Sequence, residues 1–208
     1  MGKRSHASAG STAEIIGEIS AINAALWCIA ADAEVARSWD GSKVDEHDDP
    51  LPGSDFARAL ELSAGPIRVG EGDGVVVQIG GCGTSKIWQT STDVRLLEFF
   101  EGEADLESDE GLATITQGLM AVEAKRVEHI GTVEVSSGCM ALLLPYTKAE
   151  YTVEEVRAAA AKREASAFHD GEQVLLPISN GQYEIFYELL DHDEPAGSFS
   201  ARVRIAAG

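Results

Sequence analysis

At 208 residues the chain can bury roughly 70% of the surface its unfolded form exposes, so its core needs no disulfide or metal staple. Hydrophobic residues make up 44% and charged residues 25%, which excludes a disordered chain. Sixteen Lys and Arg against 35 Asp and Glu give a formal net charge of -19, which disfavours direct binding to nucleic acid or anionic lipid and favours cationic partners.

Met1 to Gly10 is small, polar and basic and reads as a flexible tail (residues 1–10) ahead of a single α+β domain (11–208). Ser11 and Glu14 have capping-box spacing, and Ile15, Ile19, Ile22, Leu26, Ile29 and Ala33 keep a helical period. The pattern predicts a helix from about Thr12 to about Arg37, the alternative being a shorter helix followed by a strand at Leu26 to Ala30. Glu14 and Glu18 interrupt the apolar stretch, so neither a signal peptide nor a membrane span is expected, and the chain reads as cytoplasmic. Asp40 to Gly53, with Pro50, Pro52 and a run of acids, reads as an exposed loop, and Ser54 to Leu62 as a helical turn or two.

Ile67 to Val69 and Val75 to Ile79 are β-branched runs around Gly70-Glu71-Gly72-Asp73-Gly74 and predict a hairpin. Gly80-Gly81-Cys82-Gly83 closes its second strand, and a short run follows around Ile87-Trp88. Ser91 and Thr92 then offer caps for a helix carrying Val94, Leu96, Leu97 and Phe100, which Gly102 would end. A further helix is expected from Ser108 to Lys125-Arg126, with Leu112, Ile115, Leu119 and Val122 on one stripe. Val127 to Ser136 and Cys139 to Leu144 read as a second hairpin around Ser137-Gly138. Thr152 and Glu155 open a helix to about Ala167. Val174 to Ile178 and Gln182 to Leu190 flank Asn180-Gly181 and predict a third hairpin, before a last strand from Phe199 to Ile205. The expected fold class is therefore α+β, a mainly antiparallel twisted sheet built from hairpins with several helices packed on it.

No Ser/His/Asp order, HExxH or phosphate-loop pattern is present, and the glycines of 70–74 lead into a strand with carboxylates among them. Cys82 sits in a turn-like setting, but a catalytic thiol needs a histidine and electropositive surroundings, and His129 is the only nearby candidate in order. Cys28, Cys82 and Cys139 are too irregularly spaced for a disulfide framework or a CxxC metal site, so reduced thiols are expected. Asp45, His47, Asp48 and Asp49, and likewise Asp191, His192 and Asp193, lack the spacing of a known metal loop. No catalytic residue, metal ligand or cofactor is assigned. Trp27, Trp39 and Trp88 read as core or interface anchors. Between Glu98 and Glu110 stand seven carboxylates in thirteen residues: Glu98, Glu101, Glu103, Asp105, Glu107, Asp109 and Glu110. Together with Asp45, Glu46, Asp48 and Asp49 they are the candidate contacts for a basic partner, the plain alternative being solvated acidic turns.

In the order of its short patterns the chain resembles the immunity protein 21 family of bacterial polymorphic toxin systems. The similar stretches are Trp39-Asp40-Gly41, Asp55-Phe56-Ala57-Arg58-Ala59, Gly74 to Gly80, Trp88 with Val94 to Phe100, Gly131 to Val135 with Met140 to Leu144, and Leu176-Pro177 through Gly181-Gln182-Tyr183. The resemblance implies a strand starting near Trp27, against the long helix drawn from periodicity. It also implies a cytoplasmic protein that binds and silences a cognate protein toxin without catalysis. Two other classes stay open: an acidic nucleic-acid mimic that inhibits a host or mobile-element nuclease, and a cysteine-dependent enzyme.

Overall fold

Residues 72–89 are rich in β-branched side chains and glycine, and residues 14–32 carry five isoleucines; β-branched side chains suit a pleated ribbon. In the computed structural model, which describes residues 13–47, 49–97, 122–190 and 201–208, they form the two longest strands, β1 (Glu14–Asp32) and β3 (Gly72–Gln89). These pair antiparallel from Glu14 opposite Gln89 to Ala31 opposite Gly74, with register shifts between Ile15 and Gly17 and between Ala21 and Trp27. The other strands are β2 (Gly65–Val69), β4 (Asp93–Leu97), β5 (Ala124–Val135), β6 (Cys139–Leu143), β7 (Ser166–Phe168), β8 (Gln173–Pro177), β9 (Gly181–Leu190) and β10 (Ala201–Ala207). All join one ten-stranded sheet in the order β5-β9-β10-β4-β3-β1-β6-β8-β7, with β2 beside β3. Every pairing among the described residues is antiparallel.

The sheet curls over itself. Val133, Ile185, Val203 and Leu96 from one half meet Met140, Leu142, Val174 and Leu176 from the other in a single apolar cluster, with Ile19, Val77 and Ile87 of the long strands between them. On the outer side of β1, β3, β6 and β8 a second cluster gathers Ile29, Val76, Ala141, Leu143 and Leu175. It is covered by α1 (Ala33–Ala36), α2 (Asp55–Leu62) and α3 (Val153–Lys162), through Ala36, Ala59, Val156 and Ala159 together with Trp39 and Tyr151. Strands β6 and β8 are thus buried on both faces, and their sequences run apolar without alternation.

One carboxylate ties the two clusters. Asp32 ends β1 at 2% exposure and N-caps α1, accepting from the amides of Glu34 at 2.9 Å and Val35 at 3.2 Å. Its second oxygen accepts from the amides of Ser136 at 2.7 Å and Ser137 at 2.8 Å and from the Ser136 hydroxyl at 3.3 Å. This pins the corner where the chain leaves β5 and enters β6. The matching corner from β8 to β9 is joined to it by the Ile178 amide donating to Gly138 O at 3.1 Å. Gly138 has φ +79°, the left-handed conformation that glycine adopts without strain.

The mainly antiparallel sheet and the β2–β3 hairpin follow the sequence expectation. Several local readings are corrected. Residues 14–32 form a strand rather than a helix: isoleucines on both faces, with alanines between them, imitate a 3.6-residue period. That strand passes through Trp27. Gly80 to Gly83 lie inside β3 and do not close it. Val94 and Leu96 point into the apolar cluster while Asp93 and Arg95 alternate onto the opposite face, where they pair with each other and are largely buried, so the expected helix there is β4. Thr90 makes the turn before it, its hydroxyl accepting from Asp93 N at 3.0 Å and donating to the Asp93 carboxylate at 2.7 Å. Lys125 and Arg126 belong to β5, not to a helix end; the rest of that expected helix up to residue 121 lies outside the described residues, as do Gly102 and residues 1–12. Neither Ser137-Gly138 nor Asn180-Gly181 closes a hairpin, because β5 pairs with β9 and β6 pairs with β1 and β8. The helices are few and short among the described residues, with α3 ending at Lys162 rather than near Ala167.

Burial alone would raise the Asp32 pKa, but the amides of Ser136, Ser137 and Val35 outweigh it and hold the group below the ordinary carboxylate range. A lowered folded-state pKa adds stability above the unfolded value of about 3.9, and the gain is lost as pH falls through the folded value. Asp32→Ala should cost on the order of 3 kcal/mol at neutral pH, because it leaves buried amides unpaired. Asp32→Asn should cost less and flatten the loss of stability below about pH 4, as read by urea unfolding across pH.

Candidate functional site

The segment between α1 and α2 is a loop whose base is fixed in the core. Trp39 is fully buried, and its indole Nε1 donates to Pro145 O at 3.0 Å. The Arg58 guanidinium lies 5.9 Å from the centre of the Trp39 ring and pairs with Asp55, whose other oxygen accepts from the Asp40 amide at 2.8 Å. Trp39-Asp40-Gly41 and Asp55 to Ala59, far apart in sequence pattern, therefore meet. Gly41 donates to Thr147 O at 2.9 Å, and a Cβ there would stand 1.8 Å from Pro145 O, so only glycine lets the two backbones approach.

Beyond this base the chain makes a small antiparallel turn. Val44 bridges Pro50, Leu51 N donates to Lys43 O at 3.0 Å, and Asp45 N donates to Asp49 O at 2.8 Å. One oxygen of the Asp45 carboxylate accepts from His47 N at 2.8 Å and Asp49 N at 3.1 Å, closing the tip as an aspartate-stabilised turn. Asp45, Glu46 and Asp49 are exposed, and Leu51 stands beside them at 43% exposure. Of their charged neighbours, His47 approaches Glu46 at 3.6 Å, while Lys43 lies 3.5 Å from Asp40. The Ser42 hydroxyl above all, with Lys43 and Lys148 adding to it against slight burial, holds Asp40 below the usual carboxylate range. The tip thus presents exposed acids on a loop whose base is tied to the core.

Asp48 lies outside the described residues, as do Glu98, Glu101, Glu103, Asp105, Glu107, Asp109 and Glu110, and Asp191, His192 and Asp193. Among the described residues no group of His, Cys, Asp and Glu could hold a metal ion. No helix among them is long and apolar enough to cross a membrane. A pocket of about 490 Å³ opens between the start of β2 and the strands β5 and β9, with Gln78, Glu128, His129 and Tyr187 on its walls. The His129 ring packs edge-on against Phe186 at 5.3 Å, and no cysteine is among the described residues that line the pocket.

Two groups escaped the sequence reading. One is Asp32, which looks like any acid at the end of an alanine run. The other is a polar cluster on the outer face of β9, β10 and β4, where Arg202 and Arg204 donate to the two oxygens of Glu188, the Arg204 contact at 2.6 Å, and Arg95 grips both oxygens of Asp93 at 2.9 and 3.0 Å. Burial pushes Glu188 up, but the arginines outweigh it and hold its pKa down. The alternation of arginine with apolar residues in Ala201 to Ile205 was the signal for that face.

Burial pushes the Cys28 thiol up to about 12 and the Cys139 thiol up to about 11, Asp32 adding to the second. Neither reaches the thiolate at neutral pH. Peptide mapping after iodoacetamide treatment at pH 8 should leave Cys28 and Cys139 unlabelled in the native protein and label both in denaturant. Native labelling at either position would contradict this environment.

No family model matches the chain, and comparisons with curated proteins and with solved structures find no match either.

Proposed function

We propose that the chain is an immunity protein, which binds and neutralises a cognate bacterial toxin by stoichiometric association in the cytoplasm, as its resemblance to the immunity protein 21 family implies. The observation that supports this reading is the acidic turn at Asp45 to Asp49, mounted on Trp39, Gly41 and Asp55. A charged surface held by core contacts suits a partner with a basic groove. With a formal net charge of -19, the whole chain draws such a partner in. The acidic segment from Glu98 to Glu110 would add to that field.

The test starts from the neighbouring genes: a toxin-like reading frame immediately upstream supplies the partner. Changing Asp45 and Asp49 to Asn and Glu46 to Gln should slow association by about tenfold at low salt, with the difference shrinking as salt is added. Gly41→Ala keeps every charge but separates the loop from Pro145, and should weaken both association and protection of toxin-expressing cells. Unchanged rates in both variants would remove the loop from the interface and leave the 98–110 segment to carry it. Binding to a nuclease in competition with its nucleic acid, with no toxin gene nearby, would favour the acidic-mimic reading.

A further inference from the structure

We propose that the cleft between the end of α3 and the β8–β9 corner is a binding site for a carboxylate. It encloses about 390 Å³, and its walls include Arg163, Asn180, Gln89 and Ser179 beside the apolar surfaces of Pro177 and Ile178. The chain holds 35 acids against 16 bases, yet none of the described residues lining this cleft is a carboxylate. Among the described residues the Arg163 guanidinium has neither a hydrogen-bond nor an ion-pair partner. The side chains of Gln89, Ser179 and Asn180 make no hydrogen bond to them either. One cation and two amides therefore line the cleft on exposed residues.

The backbone of Arg163 supplies a second observation. It stands at the C-cap of α3 with φ +57° and ψ +37°, its N–H donating to Ala159 O at 2.9 Å. This left-handed position is where glycine ends a helix without strain. A cation near a helix C-terminus is favourable, but Lys162 already provides one in the last turn. Holding arginine at the strained position brings a guanidinium to the cleft that glycine could not supply. The planar fork of that group and two carboxamides match the two oxygens of a carboxylate. One cation among neutral donors suits a monoanion, and in the field of a chain at -19 a phosphate dianion is repelled more strongly. The walls of Pro177 and Ile178 suit a small apolar group next to the carboxylate, as in a peptide C-terminus or a short branched acid. This site is independent of the acidic loop, for Gly138 and Asn180 lie at the opposite end of β6 and β8 from Thr147 and Gln173.

Titration of the full chain by amide NMR separates the possibilities. N-acetylvaline should give saturable shifts at Gly138, Arg163, Ser179 and Asn180, and isovalerate the same shifts if a free acid suffices. N-acetylvalinamide, which lacks the charge, should give none. Arg163→Gly should keep or raise the melting temperature while weakening N-acetylvaline binding by about tenfold or more, the worth of a charge-assisted contact. Asn180→Ala should weaken it less. Absence of saturable binding to the wild type, undiminished binding to Arg163→Gly, or tighter binding of inorganic phosphate than of either acid would each overturn the proposal.

Discussion

The helix-covered side of the molecule is located by the carboxylate of Asp32. Its oxygens serve amides on both sides of the sheet's fold: Glu34 and Val35 at the start of α1, and Ser136 and Ser137 where the chain turns from one half-sheet into the other. A buried charge costs several kcal/mol in lost hydration, and it persists only where its lone pairs are filled. Asp32 meets that condition with backbone donors, whose positions depend on the fold being right. The interaction therefore rewards only the assembled corner and acts as a check on register as much as a source of stability.

From that corner the rest of the outer layer follows. The turn through α1 delivers Trp39 to Pro145, and the Tyr151 hydroxyl reaches back to Ala33 O at 3.1 Å. The first of these contacts closes the layer at the far end of β6 and the second at its near end, the strand's five residues spanning roughly 17 Å. The acidic loop stands at that far end and the Arg163 cleft at the near end. Two surfaces of opposite electrostatic character are thus held apart by the same short, doubly buried strand.

The fold class was legible because turn residues and β-branched runs are local signals, and the capping box of α3 fell where Thr152 and Glu155 placed it. What failed was pairing. Asn180-Gly181 lies at the corner where the chain passes from β8 to β9, and β8 stays with β6, Val174 entering one cluster and Leu175 the other, a demand that no local pattern records. β1 failed for a related reason: a strand buried on both faces near its end has no polar face to set a period of two. In the candidate loop the acids were visible and their mount was not. The contact of Trp39 with Pro145 spans 106 positions of sequence. Arg163 had no signal at all, since only its backbone angle distinguishes it from any arginine near a helix end.

Among the described residues the curled sheet does not close on itself, and the two ends of its strand order are poor templates. At one end β7 is three residues long. At the other, β5 is interrupted by register shifts between Ala124 and Arg126 and between His129 and Gly131, and its outer stretch carries Lys125, Arg126 and Glu128. Kinks and alternating charges of this kind keep a free strand from recruiting another chain's backbone. A strand added at either of these two ends would find only a short or kinked backbone to pair with.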